Sequence, residues 1–272
     1  MHIAVHWEST YRYSEPVRLL HTELRVLPAN GFGQRRLEGA IELTPAAHPH
    51  ELRDAFGNAY HHVDFLEEVD QIHVAVSAEV ETRADPGEEP AEAPPGPLVR
   101  YLYGMPTARA PHDPAIAALF DAIPGDLDAI DTGRAIADLI HGRFIFEVGS
   151  TDVAATALDL IRVQRGVCQD FSHLMLAALR LRGIPARYVS GYLAPLEGEE
   201  SAEASHAWVQ LLAGDRWWGF DAANDLLQDE RYVITAVGRD YDDAPPLRGT
   251  YAGVATEEWS TTLRVRTSTS QQ

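Results

Sequence analysis

One cysteine, Cys168, serves a chain of 272 residues. No internal disulfide can form, so nothing points to an oxidising compartment. Basic residues are scarce as well: 22 Lys and Arg stand against 41 Asp and Glu, a formal net charge of −19. With no basic run to offset it, that balance argues against nucleic acid and anionic lipid as partners. Long hydrophobic runs are also missing, and no apolar segment approaches the ~20 residues a bilayer crossing needs. Met1-His2-Ile3-Ala4-Val5-His6-Trp7-Glu8 lacks the basic flank and apolar stretch of a signal peptide. The expectation is a cytoplasmic protein without a membrane partner, its acidity serving solubility or a cationic substrate. What remains is an ordinary globular composition, 45% hydrophobic and 23% charged, long enough for one large domain or two ordinary ones.

The first eighty or so positions read as strands. Residues 2–13 are rich in aromatic and β-branched side chains, 23–27 and 37–43 alternate, and 59–66 and 71–80 follow, with turn signals such as Phe56-Gly57-Asn58 between them. Many short strands with regular turns predict an antiparallel sandwich. Residues 83–97 then turn to Pro, Glu, Ala and Gly, a composition that reads as an exposed, partly stiff linker or long loop. Past it the pattern is helical. Asp113-Pro114 opens one helix and Asp131-Thr132 caps another, while 155–163 is a third. Residues 171–181 make the most apolar, ending at Arg182-Gly183 with Pro185 following. A helix apolar all round is a buried helix. Strands resume at 186–193.

Gly166-Val167-Cys168-Gln169-Asp170-Phe171 puts the single thiol where a glycine turn enters that buried helix. Unpaired N–H groups and the positive dipole end favour thiolate over thiol at such a junction. His206 and Asp221 follow in segments that read as a hairpin. A four-residue loop, Leu212-Ala213-Gly214-Asp215, would set His206 directly opposite Asp221, side chains on one face and Cβ atoms about 5 Å apart. The other face would carry Ala207, Val209, Leu211, Trp218 and Phe220 toward a core. Each residue alone has an ordinary reading: a small buried thiol, a hydrogen-bonded strand histidine, a turn cap. Together they are the nucleophile, base and orienting group of a thiol enzyme.

Several longer motifs point the same way: Gly166-Val167-Cys168-Gln169-Asp170-Phe171-Ser172-His173, Arg182-Gly183-Ile184-Pro185-Ala186-Arg187-Tyr188-Val189-Ser190-Gly191-Tyr192, Ser205-His206-Ala207-Trp208 and Gly219-Phe220-Asp221. Together they resemble the core of the bacterial transglutaminase-like family, within the papain-like thiol enzymes. Thr10-Tyr11-Arg12-Tyr13-Ser14, Glu23-Leu24-Arg25-Val26-Leu27-Pro28 and Asp54-Ala55-Phe56-Gly57-Asn58 are similar to the family's preceding β-rich domain. The stretch 238–249 is similar to its C-terminal part. Two departures stand out. Members commonly read Asp-Pro-Thr-Asn where this chain has Asp221-Ala222-Ala223-Asn224, and an acidic loop at 197–203 precedes the His206 strand.

The resulting expectation is an α+β protein. An N-terminal antiparallel β-sandwich (1–82) and an acidic Pro-rich linker (83–100) lead to a papain-like, transglutaminase-like core (101–245), then a C-terminal strand and tail (246–272). In the core a helix bearing Cys168 packs on an antiparallel sheet bearing His206 and Asp221. The implied reaction is acyl transfer from a peptide or amide, with water or an amine as acceptor; an inactive interaction module is the rival. Gln169, Trp208, Arg239 and Tyr241 are candidate substrate-binding residues. Arg239 and Tyr241 are expected to border the cleft beside His206. No cofactor or metal is expected: His61-His62 point to opposite faces of a strand and make a poor ligand pair. His173 and Asp170 read as structural.

Overall fold

The structure, a computed structural model, describes residues 1–83, 95–196 and 205–268. Most of the expected linker and the acidic loop lie outside these residues. The N-terminal half is a sandwich built on one long strand, β1 (His2–Leu24). Its first part alternates buried and half-buried residues, with Ile3, Val5 and Trp7 inward, and pairs with β5 (Val69–Thr82) on one side and β14 (Glu257–Ser268) on the other. Beyond β5 lies β2 (Gln34–Thr44). The register breaks between Arg12 and Val17. The second part of β1 pairs instead with β4 (Ala59–Phe65) and β13 (Leu247–Ala252), with β3 (His50–Arg53) outside β4. Trp7, Leu20, Leu24, Val63, Val74 and Val265 meet in one core between the two sheets. The segment read at 2–13 and the first two residues of that read at 23–27 therefore belong to one strand. The expected C-terminal strand is two, both added to the edge of β1.

The second half is an α+β layer. Its antiparallel sheet runs β11 (Leu226–Leu227), β10 (Arg216–Asp221), β9 (His206–Ala213), β8 (Ala186–Leu193), β12 (Tyr232–Gly238) in spatial order. Against it packs α5 (Cys168–Leu181), buried from Gln169 to Arg180. Around α5 lie α1 (Pro97–Gly104), α2 (Pro114–Leu119), α3 (Ala129–Arg143) and α4 (Ala157–Val163). Asp113 caps α2 as expected, accepting from the Ala115 N–H at 2.8 Å. The cap of α3 is Asp128, accepting from Ile130 and Asp131 N–H at 2.9 Å, three residues before the expected Asp131-Thr132. Thr132 is instead buried, its hydroxyl donating to the Leu127 carbonyl at 3.5 Å. At the far end of α5, Arg180 is 2% exposed. It donates to the carbonyls of Tyr103, Ala186 and Arg239, which fixes the helix against β8 and the 238–243 turn. Among the described residues, no helix is long and apolar enough to cross a membrane.

Two amide side chains join the halves. β12 is the sheet's edge, and an open edge leaves backbone groups unpaired. Gln34 accepts from the Ile234 N–H and donates to the Ile234 carbonyl, each at 2.8 Å. Asn58 does the same for Val237, at 2.8 and 2.7 Å. Each amide mimics a peptide group, so the sandwich continues the ladder of β12 with side chains. Tyr192 adds a bond to the Val26 carbonyl at 2.6 Å.

Candidate active site

Cys168 is the first residue of α5, one turn earlier than the expected helix start. Its N–H belongs to the first turn, where no intrahelical acceptor exists. The turn is held by Asp170, whose Oδ2 accepts from the Val167 N–H at 2.8 Å and from the Thr151 hydroxyl at 2.6 Å. Burial pushes the Asp170 carboxyl up, against the pull of those two bonds. Gly166 is a requirement of this arrangement, since a Cβ there would lie 2.7 Å from Asp170 Oδ2. Just ahead, β6 (Ile145–Phe146) and β7 (Arg165–Gly166) form a short parallel pair that delivers the chain to Cys168.

His206 begins β9 and Asp221 ends β10. The hairpin differs from expectation: Ala213 pairs with Arg216 and Val209 with Phe220, so the turn has two residues, Gly214-Asp215. Gly214 takes the positive φ, 63°, that such a turn demands. One more step in this register sets Asp221 across from Trp208, with His206 the diagonal neighbour. Strand faces repeat every two residues, and this register differs from the expected one by two. The two side chains therefore stay on one face, and His206 Nε2 meets Asp221 Oδ2 at 2.7 Å. Ala207, Val209, Leu211 and Phe220 line the α5 core on the other face, with Trp218 packed against them.

Asp221 is 1% exposed and saturated with donors. Oδ2 accepts from His206, from Asn224 Nδ2 at 2.8 Å and from the Tyr232 hydroxyl at 2.9 Å. Oδ1 accepts from the Ala223 and Asn224 N–H groups at 3.1 and 3.2 Å. Burial opposes the charge, but His206 and these donors hold the carboxyl below its ordinary range. For His206, burial disfavours the cation, yet hydrogen bonds with Asp221 and Cys168 raise its pKa to about 10. Since Nε2 serves Asp221, Nδ1 is the nitrogen left for the thiol. Behind the imidazole, Trp208 stacks at 6.0 Å and 21°, its indole N–H donating to Gln228 at 2.9 Å. Gly191 makes room for that ring: a Cβ there would sit 2.8 Å from Trp208 Cη2 and 2.0 Å from the Val233 carbonyl.

Residues 3–81 match the bacterial transglutaminase-like N-terminal region, and residues 117–222 match the transglutaminase-like superfamily. An uncharacterized protein of Mycobacterium leprae is 33% identical over 260 residues, spanning 89% of this chain and 90% of its own length. The chain belongs to the bacterial transglutaminase-like family. An uncharacterized protein of Mycobacterium tuberculosis is 30% identical over 266 residues, covering 88% of this chain and 84% of that one. The crystal structure of a candidate cysteine protease from Cytophaga hutchinsonii superposes with a TM-score of 0.77 at 24% identity, over 97% of this chain and 90% of the other. That likeness establishes the shared fold.

In this member of the family the other expected contact residues are spread out. Gln169 is largely buried and donates to the Val153 carbonyl at 3.1 Å. Trp208 is 1% exposed, a support for the imidazole with no surface to offer a substrate. Arg239 is held by Asp243 through bonds of 2.7 and 2.9 Å and lies over Phe56. Its carbonyl meets Arg180, twelve residues along α5 from Cys168, about 18 Å by helix rise. Tyr241 donates its N–H to His173 Nε2 at 3.3 Å, its ring against Tyr188. The 238–243 turn thus flanks α5 and not His206, because β12 lies two strands from β9 across β8. His173 is fully buried, and desolvation drops its pKa to about 3, in keeping with a packing role. Sequence reasoning missed Tyr232 altogether, since nothing local to Tyr232-Val233-Ile234 marks a hydroxyl aimed eleven residues back. Asn224 was within reach, as the last residue of the family's Asp-Pro-Thr-Asn pattern.

Proposed function

We propose that the protein is a thiol-dependent acyl-transfer enzyme acting on amide bonds, with Cys168, His206 and Asp221 as its triad, and that hydrolysis is its principal reaction. The observation that carries this reading is the imidazole of His206, held at 2.7 Å by a five-fold hydrogen-bonded carboxylate and raised in proton affinity by that carboxylate and by Cys168. In the first step the Cys168 sulfur attacks the carbonyl carbon and a C–S bond forms. The Cys168 N–H, at the positive end of α5, faces the developing oxyanion. As the C–N bond breaks, His206 gives its proton to the departing amine. Water then attacks the thioester, His206 takes a proton from it, and the acid leaves as the thiolate is restored beside the protonated imidazole. Asp221 holds one tautomer and stabilises the cation throughout.

Water is the default acceptor at ~55 M, and an amine competes only when bound beside the thioester at high effective molarity. The formal charge of −19 favours the second reading, amine transfer, because it draws cationic amines to the surface. Partition of one acyl donor between water and a primary amine tests the assignment. Free acid as the dominant product at millimolar amine supports hydrolysis. Amide as the dominant product replaces it with transglutamination, and neither product would reject the enzyme.

A further inference from the structure

Three ligand-type side chains converge on the outer face of the sandwich, on the strands that follow the register break of β1. His21 on β1 lies directly across from Asp64 on β4, and His62 precedes Asp64 by two, on the same face. His21 Nδ1 meets Asp64 Oδ1 at 2.5 Å and His62 Nε2 meets the same oxygen at 2.9 Å. The two rings are nearly parallel, 6.1 Å apart at 18°. All three donor atoms lie within 4.8 Å of one another. His61, the neighbour that made the His61-His62 pair look unpromising, turns to the other face and faces Glu51 at 3.8 Å. The true partner of His62 comes from the adjacent strand, forty-one positions earlier.

We propose that His21, His62 and Asp64 form a binding site for a late first-row divalent cation, Zn²⁺ above all, that ties β1 to β4. Two imidazoles and one carboxylate are the donor set that such ions prefer, and they disfavour Mg²⁺ and Ca²⁺. Metal–ligand bonds of about 2.0–2.2 Å set tetrahedral donors roughly 3.4 Å apart, a small opening of the present triangle. His21 and Asp64 are exposed and His62 is half-buried, so this opening displaces no core. Both strands are fixed by the sheet, which leaves little ordering to be done on binding. His50, on β3 directly opposite His62, shares the face and is exposed; it or water completes the shell.

The test uses the full chain carrying Cys168→Ala, which removes the one thiol as a competing ligand. Zn²⁺ titrated by calorimetry should bind at one equivalent and raise the thermal midpoint by several degrees, with no effect from Mg²⁺. His21→Ala and His62→Ala, each compared with its own metal-free midpoint, should each weaken Zn²⁺ at least tenfold. Asp64→Asn should do the same. Absence of Zn²⁺ binding, binding unchanged in both histidine variants, or equal competition by Mg²⁺ would reduce the cluster to an ion pair and overturn the proposal.

Discussion

Tyr232 donates its hydroxyl to Asp221 Oδ2 at 2.9 Å, the same oxygen that holds His206 at 2.7 Å. Tyr232 opens β12, the strand whose free edge is completed by Gln34 and Asn58 of the sandwich. A continuous path therefore runs from the N-terminal sheet through β12 to the carboxylate that orients the imidazole. The sandwich reaches the site by fixing a strand, and among the described residues it contributes no group to the proposed triad.

Tyr232→Phe tests that path at its last link. Asn224 still donates to the same oxygen, so Asp221 stays bound but less firmly placed. Loss of one hydrogen bond of about 1 kcal/mol predicts a fall in kcat of roughly fivefold, with KM unchanged. An unchanged kcat would show that Asn224 alone positions the carboxylate.

Asp221→Asn should cut kcat by up to about 10⁴-fold, the scale of the same exchange in a serine protease triad, and should move the pH profile. Asp221 and Cys168 raise the pKa of His206 to about 10, so the proposed mechanism predicts the alkaline limb of activity there. Because the raised pKa reflects stabilisation of the cation, that contribution to folding is complete below 6.5, the ordinary value, and is lost as the pH rises through about 10. Without the carboxylate, desolvation prevails and the limb should move toward lower pH. A limb that stays in place in Asp221→Asn would mean another group sets the histidine's proton affinity.

Asn58→Ala leaves the N–H and carbonyl of Val237 unpaired in a buried seam. At about 1–3 kcal/mol per orphaned group, the loss should be around 3 kcal/mol, with a thermal midpoint lower by roughly 6–10 °C. Activity per folded molecule at 25 °C should change little. A midpoint within 2 °C of wild type would mean water replaces the amide at no cost.

The parts of the site with a periodic signature were legible in the sequence. Gly166-Val167-Cys168 before an apolar helix is local, and so is the alternation that puts His206 and Asp221 on one face. That second reading survived a wrong loop length because the error was two residues, one full strand period. What the sequence hid is what lies across strands. His21 and His62, Tyr232 and Asp221, and Asn58 with Val237 meet only because particular strands are neighbours, and residue spacing carries no record of that. β3 escaped for a different reason: His50–Arg53 is exposed throughout, so no alternation marks it. Arg239 and Tyr241 were misplaced through a topological fact, the insertion of β8 between β12 and β9.

The central claim, that Cys168 is the nucleophile, is tested most directly by intact-mass spectrometry after brief exposure to p-nitrophenyl acetate and acid quench. The wild type should gain one acetyl group, mapped by peptide analysis to Cys168. Cys168→Ala should gain none there or elsewhere at the same exposure, while its circular dichroism matches wild type and its midpoint stays within a few degrees. A wild-type adduct on another residue, or equal acylation of the folded Cys168→Ala chain, would contradict the account.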